Sequence, residues 1–98
     1  MAVFSIWDAR FPESARTRGL ETVQAIWADM QSYAGYLSHE LIEDLDDSGH
    51  ILVISRWASR ESADTTLREY AENPNRLLVD QLVSTPRTRF VGRVVQGV

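Results

Sequence analysis

Apolar and polar positions change their spacing several times along the chain, and each change marks an element. Ala2-Val-Phe-Ser-Ile-Trp-Asp8 is rich in β-branched and aromatic residues and reads as a first strand. Phe11-Pro-Glu-Ser14 breaks it, because proline keeps the residue before it out of the helical region. From about residue 15 to 34 the apolar positions become Leu20, Val23, Trp27, Met30 and Ala34, with Ile26 and Tyr33 widening the stripe. Steps of three and four predict an amphipathic helix, ended by Gly35 in a left-handed conformation.

Residues 37–45 then alternate, Leu37, His39, Leu41, Glu43 and Leu45 against Ser38, Glu40, Ile42 and Asp44, which predicts strand two. Asp46-Asp-Ser-Gly49 is a turn composition and predicts a hairpin into strand three, from about His50 to Ala58. Ser59 followed by Glu61 opens helix two, expected over residues 60–72 with Ala63, Leu67 and Tyr70 inward. Asn73-Pro74 opens a third helix carrying Leu77, Leu78, Leu82 and Val83. Pro86 stops it, and residues 88–95 form the last strand. Two strand–helix–strand crossovers around a hairpin define an α+β, ferredoxin-like split βαβ sheet with helices on one face, in a single domain over residues 1–98.

That layout leaves one face of the sheet to explain. Strand three is apolar on both sides, Ile51 and Val53 against Leu52 and Ile54, and strand four sets Phe90 and Val94 against Val91 and Val95. An antiparallel sheet with one wet face alternates more cleanly. Helices cover only one face, so a two-fold homodimer that stacks sheet on sheet is expected.

Composition removes several classes of function. The 98 residues contain no cysteine and hence no thiol nucleophile, disulfide or cysteine-based metal site. All ten basic residues are arginine, which excludes Schiff-base chemistry on a lysine amine. A net charge of −4 with dispersed arginines gives no electrostatic footprint for nucleic acid. No apolar run approaches the ~20 residues of a membrane helix. There is no signal-peptide pattern either, so a cytoplasmic protein without membrane association is expected.

The stretch Ile51-Leu-Val-Ile-Ser-Arg-Trp-Ala-Ser-Arg-Glu-Ser-Ala63 places Trp57 where a strand meets a helix, and such joints line pockets in folds of this layout. Together with Gly35-Tyr-Leu-Ser-His-Glu-Leu-Ile-Glu-Asp-Leu-Asp-Asp-Ser-Gly49 it resembles the antibiotic biosynthesis monooxygenase family of dimeric α+β barrels. In that family a glycine and a large residue open strand two, and a tryptophan motif closes strand three ahead of a Ser-x-Glu helix start. The resemblance implies a small-molecule pocket between sheet and helices. It points to cofactor-free oxygenation of an aromatic polyketide or quinol. The same barrel also carries non-oxidative binding proteins, cyclases and isomerases. Its haem-degrading branch uses a strand-one asparagine, a helix-two tryptophan and a later histidine. This chain has none of the three, so no cofactor is expected.

The candidate residues follow. His39 is the proposed base, since an imidazole titrates near neutrality; a satisfied core or interface histidine is the plainer account. Trp57 reads as a pocket wall offering ring area and one N–H donor, or as a core anchor for helix two. Trp7, Trp27, Tyr33 and Tyr70, with Tyr36, complete an aromatic substrate cavity or simply pack. His50 is expected to be solvated beside the turn, Asp46 and Asp47 serve turn chemistry, and no metal site is implied. Arg56, on the strand face opposite Trp57, is expected to pair with Glu40 or Asp44 across the dimer interface. Arg89 and Arg93 invite the same reading or a grip on an anionic substrate.

Overall fold

A computed structural model describes residues 2–97. Four strands, β1 (Val3–Arg10), β2 (Tyr36–Glu43), β3 (His50–Trp57) and β4 (Thr88–Gly92), form one antiparallel sheet in the order β2-β3-β1-β4. Helix α1 (Arg16–Met30), preceded by a 3-10 turn over Glu13–Ala15, crosses from β1 to β2. Helices α2 (Arg60–Glu69) and α3 (Pro74–Leu82) form the second crossover, from β3 to β4. The expected ferredoxin-like arrangement is therefore the observed one.

Strand pairing decides which side chains meet the helices. Val3, Ser5, Trp7 and Ala9 of β1 and Ile51, Val53, Ser55 and Trp57 of β3 are all buried, and the register brings them onto one face. Trp27, Ile26, Val23 and Met30 of α1, Ala63 of α2, Tyr70 at the end of α2 and Val79 of α3 close over them. Burial of this apolar surface is the main force holding the domain together.

Local chemistry sets the element ends. The Ser59 hydroxyl accepts from the Ser62 N–H while the Ser62 hydroxyl accepts from the Ser59 N–H, a capping box built from two serines. The Asn73 side chain caps α3 ahead of Pro74. Gly35 has φ +87°, and a Cβ there would collide with Ser62, so the entry to β2 and the start of α2 approach closely only because position 35 is glycine.

Several boundaries differ from the pattern-based expectation. α1 stops at Met30, four residues before Ala34. Ser32 supplies the reason: its N–H and hydroxyl both bond the Asp29 carbonyl, drawing the chain into turns. Leu37 is not on the face of His39 and Leu41. A bulge lies between Tyr36, paired with Trp57, and Ser38, paired with Arg56, so Tyr36 takes the inward place and Leu37 is half exposed. α2 ends at Glu69, and Val79, rather than the half-exposed Leu77, is the fully buried residue of α3. β4 ends at Gly92 because its partner β1 runs out just beyond the Phe4–Gly92 pair. Val94 and Val95 therefore stand exposed rather than in the sheet. Leu45, past the end of β2, is exposed as well.

Candidate functional site

Between the inner sheet face and the helices lies a cavity of about 50 Å3. Trp7 of β1, Trp27 of α1, Trp57 of β3 and Tyr70 at the end of α2 all line it, with Ile26 and Met30 completing the apolar wall. Strand alternation explains the convergence: Trp7 and Trp57 occupy the same face of adjacent strands, and the helical stripe of α1 turns Trp27 toward them. Four of the six residues expected at the site are thus brought together.

The remaining two, His39 and Tyr33, are absent from the lining. The His39 ring stacks at a tilt on Trp27, with centroids 5.4 Å apart, and its Nδ1 shares a hydrogen bond with the Tyr36 hydroxyl. Trp27 thus touches His39 and also lines the cavity. Burial lowers the His39 pKa below 6.5, so the neutral imidazole is the dominant form at neutral pH. Tyr33 packs edge-on against Tyr70 at 6.1 Å and helps form a separate shallow hollow with Ser59 and Ser62.

Hydrogen bonding limits what the aromatic walls offer. Trp57 is 2% exposed, and its Nε1–H donates to the Ser55 hydroxyl at 2.9 Å, which in turn donates to the Ser5 carbonyl. The expected free N–H donor is therefore committed, and Trp57 presents ring surface only. It packs as core and forms a wall at once. The Tyr70 hydroxyl donates to Asp29 at 2.7 Å; burial first, and that carboxylate second, push its pKa up, so it remains protonated.

Arg76 of α3, Arg87 just ahead of β4 and Arg89 within β4 line the cavity as well. Arg87 lies 5.2 Å over the Trp7 ring and binds Asp80 through Nε and Nη2, at 2.6 and 3.3 Å. Arg89 bonds Asp64 at 3.0 Å, the ordinary salt bridge among the two readings of that residue. These partners hold the Asp80 and Asp64 carboxyls below the usual carboxylate value. Arg76 is the third. Alternation along β4 places Arg89 inward beside Trp7, a signal legible in sequence; Arg76 has no such signal.

On the other sheet face one expectation for a charged residue needs correction. His50 is not solvated: its side chain is 16% exposed and lies between Asp8, 2.7 Å from Nε2, and Asp44, 2.8 Å from Nδ1. Asp44 is engaged by His50, and within the chain Arg56 lies over the Phe4 ring at 6.0 Å. Asp47 behaves as turn chemistry requires, accepting from the Gly49 N–H, and adds an ion pair to Arg10.

An aromatic cavity beneath the helices of a split βαβ sheet is the candidate site of this α+β domain. The chain belongs to the antibiotic biosynthesis monooxygenase family, whose model matches residues 8–69. No curated protein matches its sequence significantly. Among solved structures it is similar to a variant of SnoaB, a cofactor-independent oxygenase from Streptomyces nogalater, at 13% identity and TM-score 0.86, covering 99% of this chain and 96% of that one. An antibiotic biosynthesis monooxygenase superposes with TM-score 0.85 at 17% identity, over 96% of this chain and 99% of the other. A Mycobacterium tuberculosis protein gives TM-score 0.79 at 22% identity, with 99% and 98% covered. At these identities the likeness is one of fold. Among the described residues no helix is long and apolar enough to cross a membrane.

Proposed function

We propose that this chain is a cofactor-independent monooxygenase acting on an aromatic polyketide or quinol-like molecule, as a homodimer. The observation that carries the reading is the convergence of Trp7, Trp27, Trp57 and Tyr70 on one cavity. Such walls hold a flat ring and exclude water. In the reaction a proton leaves the activated ring carbon of an anthrone. The carbanion gives electrons to oxygen, and the resulting peroxide loses water to leave a carbonyl where the CH2 stood. His39 is the candidate base. Because it touches Trp27 from outside the lining, it acts on a substrate that displaces the Trp27 ring or through a bridging water.

Adding an anthrone anaerobically and then admitting oxygen tests the proposal. The wild type should consume oxygen and release quinone. A positioned base contributes roughly 10²–10⁴-fold, so His39→Ala should lose activity on that scale. Trp57→Phe, which keeps a ring but removes the larger wall, should chiefly raise KM. Full rates in both His39→Ala and Trp57→Ala would remove these roles.

One observation favours a second reading, a non-oxidative binding protein or a cyclase or isomerase. Among the described residues no carboxylate or imidazole lines the cavity. Ligand binding without oxygen uptake across a panel of anthrones and quinols would select it.

Support for the homodimer comes from the open sheet face, where Phe90 is 62% and Ile42 41% exposed and no helix packs. Contiguous apolar surface of this kind marks an interface. Light scattering at micromolar concentration should give twice the 11.1 kDa chain mass; a stable monomer contradicts it.

A further inference from the structure

Arg76 has a polar edge with nothing to hold. Its Nη1 donates to the Ala71 carbonyl at 3.2 Å, while its Nε is buried without a hydrogen-bond partner. It is the one side chain among the described residues with such an orphan, and it lines the aromatic cavity. An unpaired buried donor is costly, so a native protein keeps one where a ligand or water completes it.

The geometry of the group narrows the ligand. With Nη1 turned to the backbone, the edge bearing Nε–H and Nη2–H is the one left facing other partners. Two parallel N–H bonds on that edge match the two oxygens of a carboxylate. Charge agrees: Arg76, Arg87 and Arg89 line the cavity, and two of them are paired, with Asp80 and Asp64. Three cations against two anions leave one positive charge, in a chain whose net charge is −4. Asp29, the remaining nearby carboxylate, is exposed and engaged by Tyr70 outside the lining.

We propose that Arg76 is an anion anchor and that the cavity takes a planar aromatic carboxylate, its ring among the tryptophans and its carboxylate on the Nε–Nη2 edge. This deepens the functional reading above and rests on the cavity being its ligand site. A volume of about 50 Å3 is tight for a fused ring, so the half-buried Leu67 must swing aside on entry.

Isothermal titration with 2-naphthoate and its neutral isostere 2-naphthamide tests the anchor. The wild type should bind the acid at least about tenfold more tightly, the scale of a charge-assisted two-point contact. In Arg76→Met the ratio should fall close to one. In Arg76→Lys, which keeps the charge but loses the fork, it should be intermediate. Circular dichroism checks that each variant is folded. If Arg76→Met does not fold, Arg76→Lys carries the test alone. Equal affinities in the wild type, an acid preference that persists in folded Arg76→Met, or one undiminished from wild type in folded Arg76→Lys overturns the proposal. Oxygen plays no part in the titration. Acid-selective binding without oxygen uptake therefore sinks only the oxygenase reading. Turnover of a neutral anthrone with no acid preference sinks only the anchor.

Discussion

The two faces of this sheet are built from the same strands yet do opposite things. On β3, Ile51, Val53, Ser55 and Trp57 are buried under the helices, while Leu52, Ile54 and Arg56 between them face away. The inner face carries small hydroxyls next to large rings, and that mixture leaves a cavity. The Ser55 hydroxyl satisfies the Trp57 indole N–H and is itself held by the Ser5 carbonyl, without filling the space a larger aliphatic side chain would take. The outer face has aliphatic residues and Phe90, but also a fully partnered His50 at its edge. An apolar face alone does not make a site; the inner one is distinguished by rings that converge on a cavity and by a guanidinium whose buried Nε has no hydrogen-bond partner.

The largest effects should appear on the inner face. Trp57→Ala removes a buried indole and the N–H that donates to the Ser55 hydroxyl, and should cost about 3–5 kcal/mol in urea unfolding. Ile51→Ala, at a residue 1% exposed, should cost about 2–5 kcal/mol. Ile54→Ala makes the same chemical change three residues on, facing outward, and should cost clearly less than Ile51→Ala at dilute concentration. Equal losses at the two isoleucines would erase the distinction between the faces. Ile54→Asp sharpens it differently. If the proposed homodimer stacks sheet on sheet, a carboxylate in the middle of that interface is desolvated without a partner, so the variant should sediment as a folded monomer under conditions where the wild type sediments as a dimer. A variant that stays dimeric would place the interface elsewhere.

Legibility in the sequence followed the range of the signal. Ser59 and Asn73-Pro74 act on neighbours a few residues away, and the helices they open begin where composition puts them; Gly35 has the expected left-handed backbone but opens β2 after α1 has already ended at Met30. Alternation along β1 and β3 placed Trp7 and Trp57 on one face, so the cavity's tryptophans were readable. Three things were not. The bulge at Leu37 shifts the pairing by one residue, and no Gly or Pro at that position announces it. His50 meets Asp8 across 42 residues of chain, so its carboxylate pair exists only once β1 and β3 are in register. Arg76 sits on a short helix whose periodicity marks Val79, and a long flexible side chain reaches the cavity from a position that pattern alone assigns to the surface.

The smallest effect belongs to His50, and its pH dependence has a definite sign. The hydrogen bond to Asp8 first, and the one to Asp44 second, raise the imidazole pKa above its ordinary 6.5, against burial and the nearby Arg10, which lower it. A raised folded-state value stabilises fully below 6.5, and the contribution is lost as pH rises through the elevated value. The same contact holds Asp44 below its ordinary 3.8, and that share fades only as pH falls through the depressed carboxylate value. The stability difference between wild type and His50→Gln should therefore be widest below the ordinary imidazole value and above the carboxylate range, and should narrow as pH rises through the elevated imidazole value in urea titrations. Exposed ion pairs contribute little, so the change is modest in a free subunit. The outer face sharpens the expectation: if a second copy covers it, the Asp8–His50–Asp44 set lies within or beside the interface. The pH-dependent difference should then grow with protein concentration. A difference that stays flat from acid to alkaline pH would show that the imidazolium adds nothing, and that the two carboxylates hold His50 equally well when it is neutral.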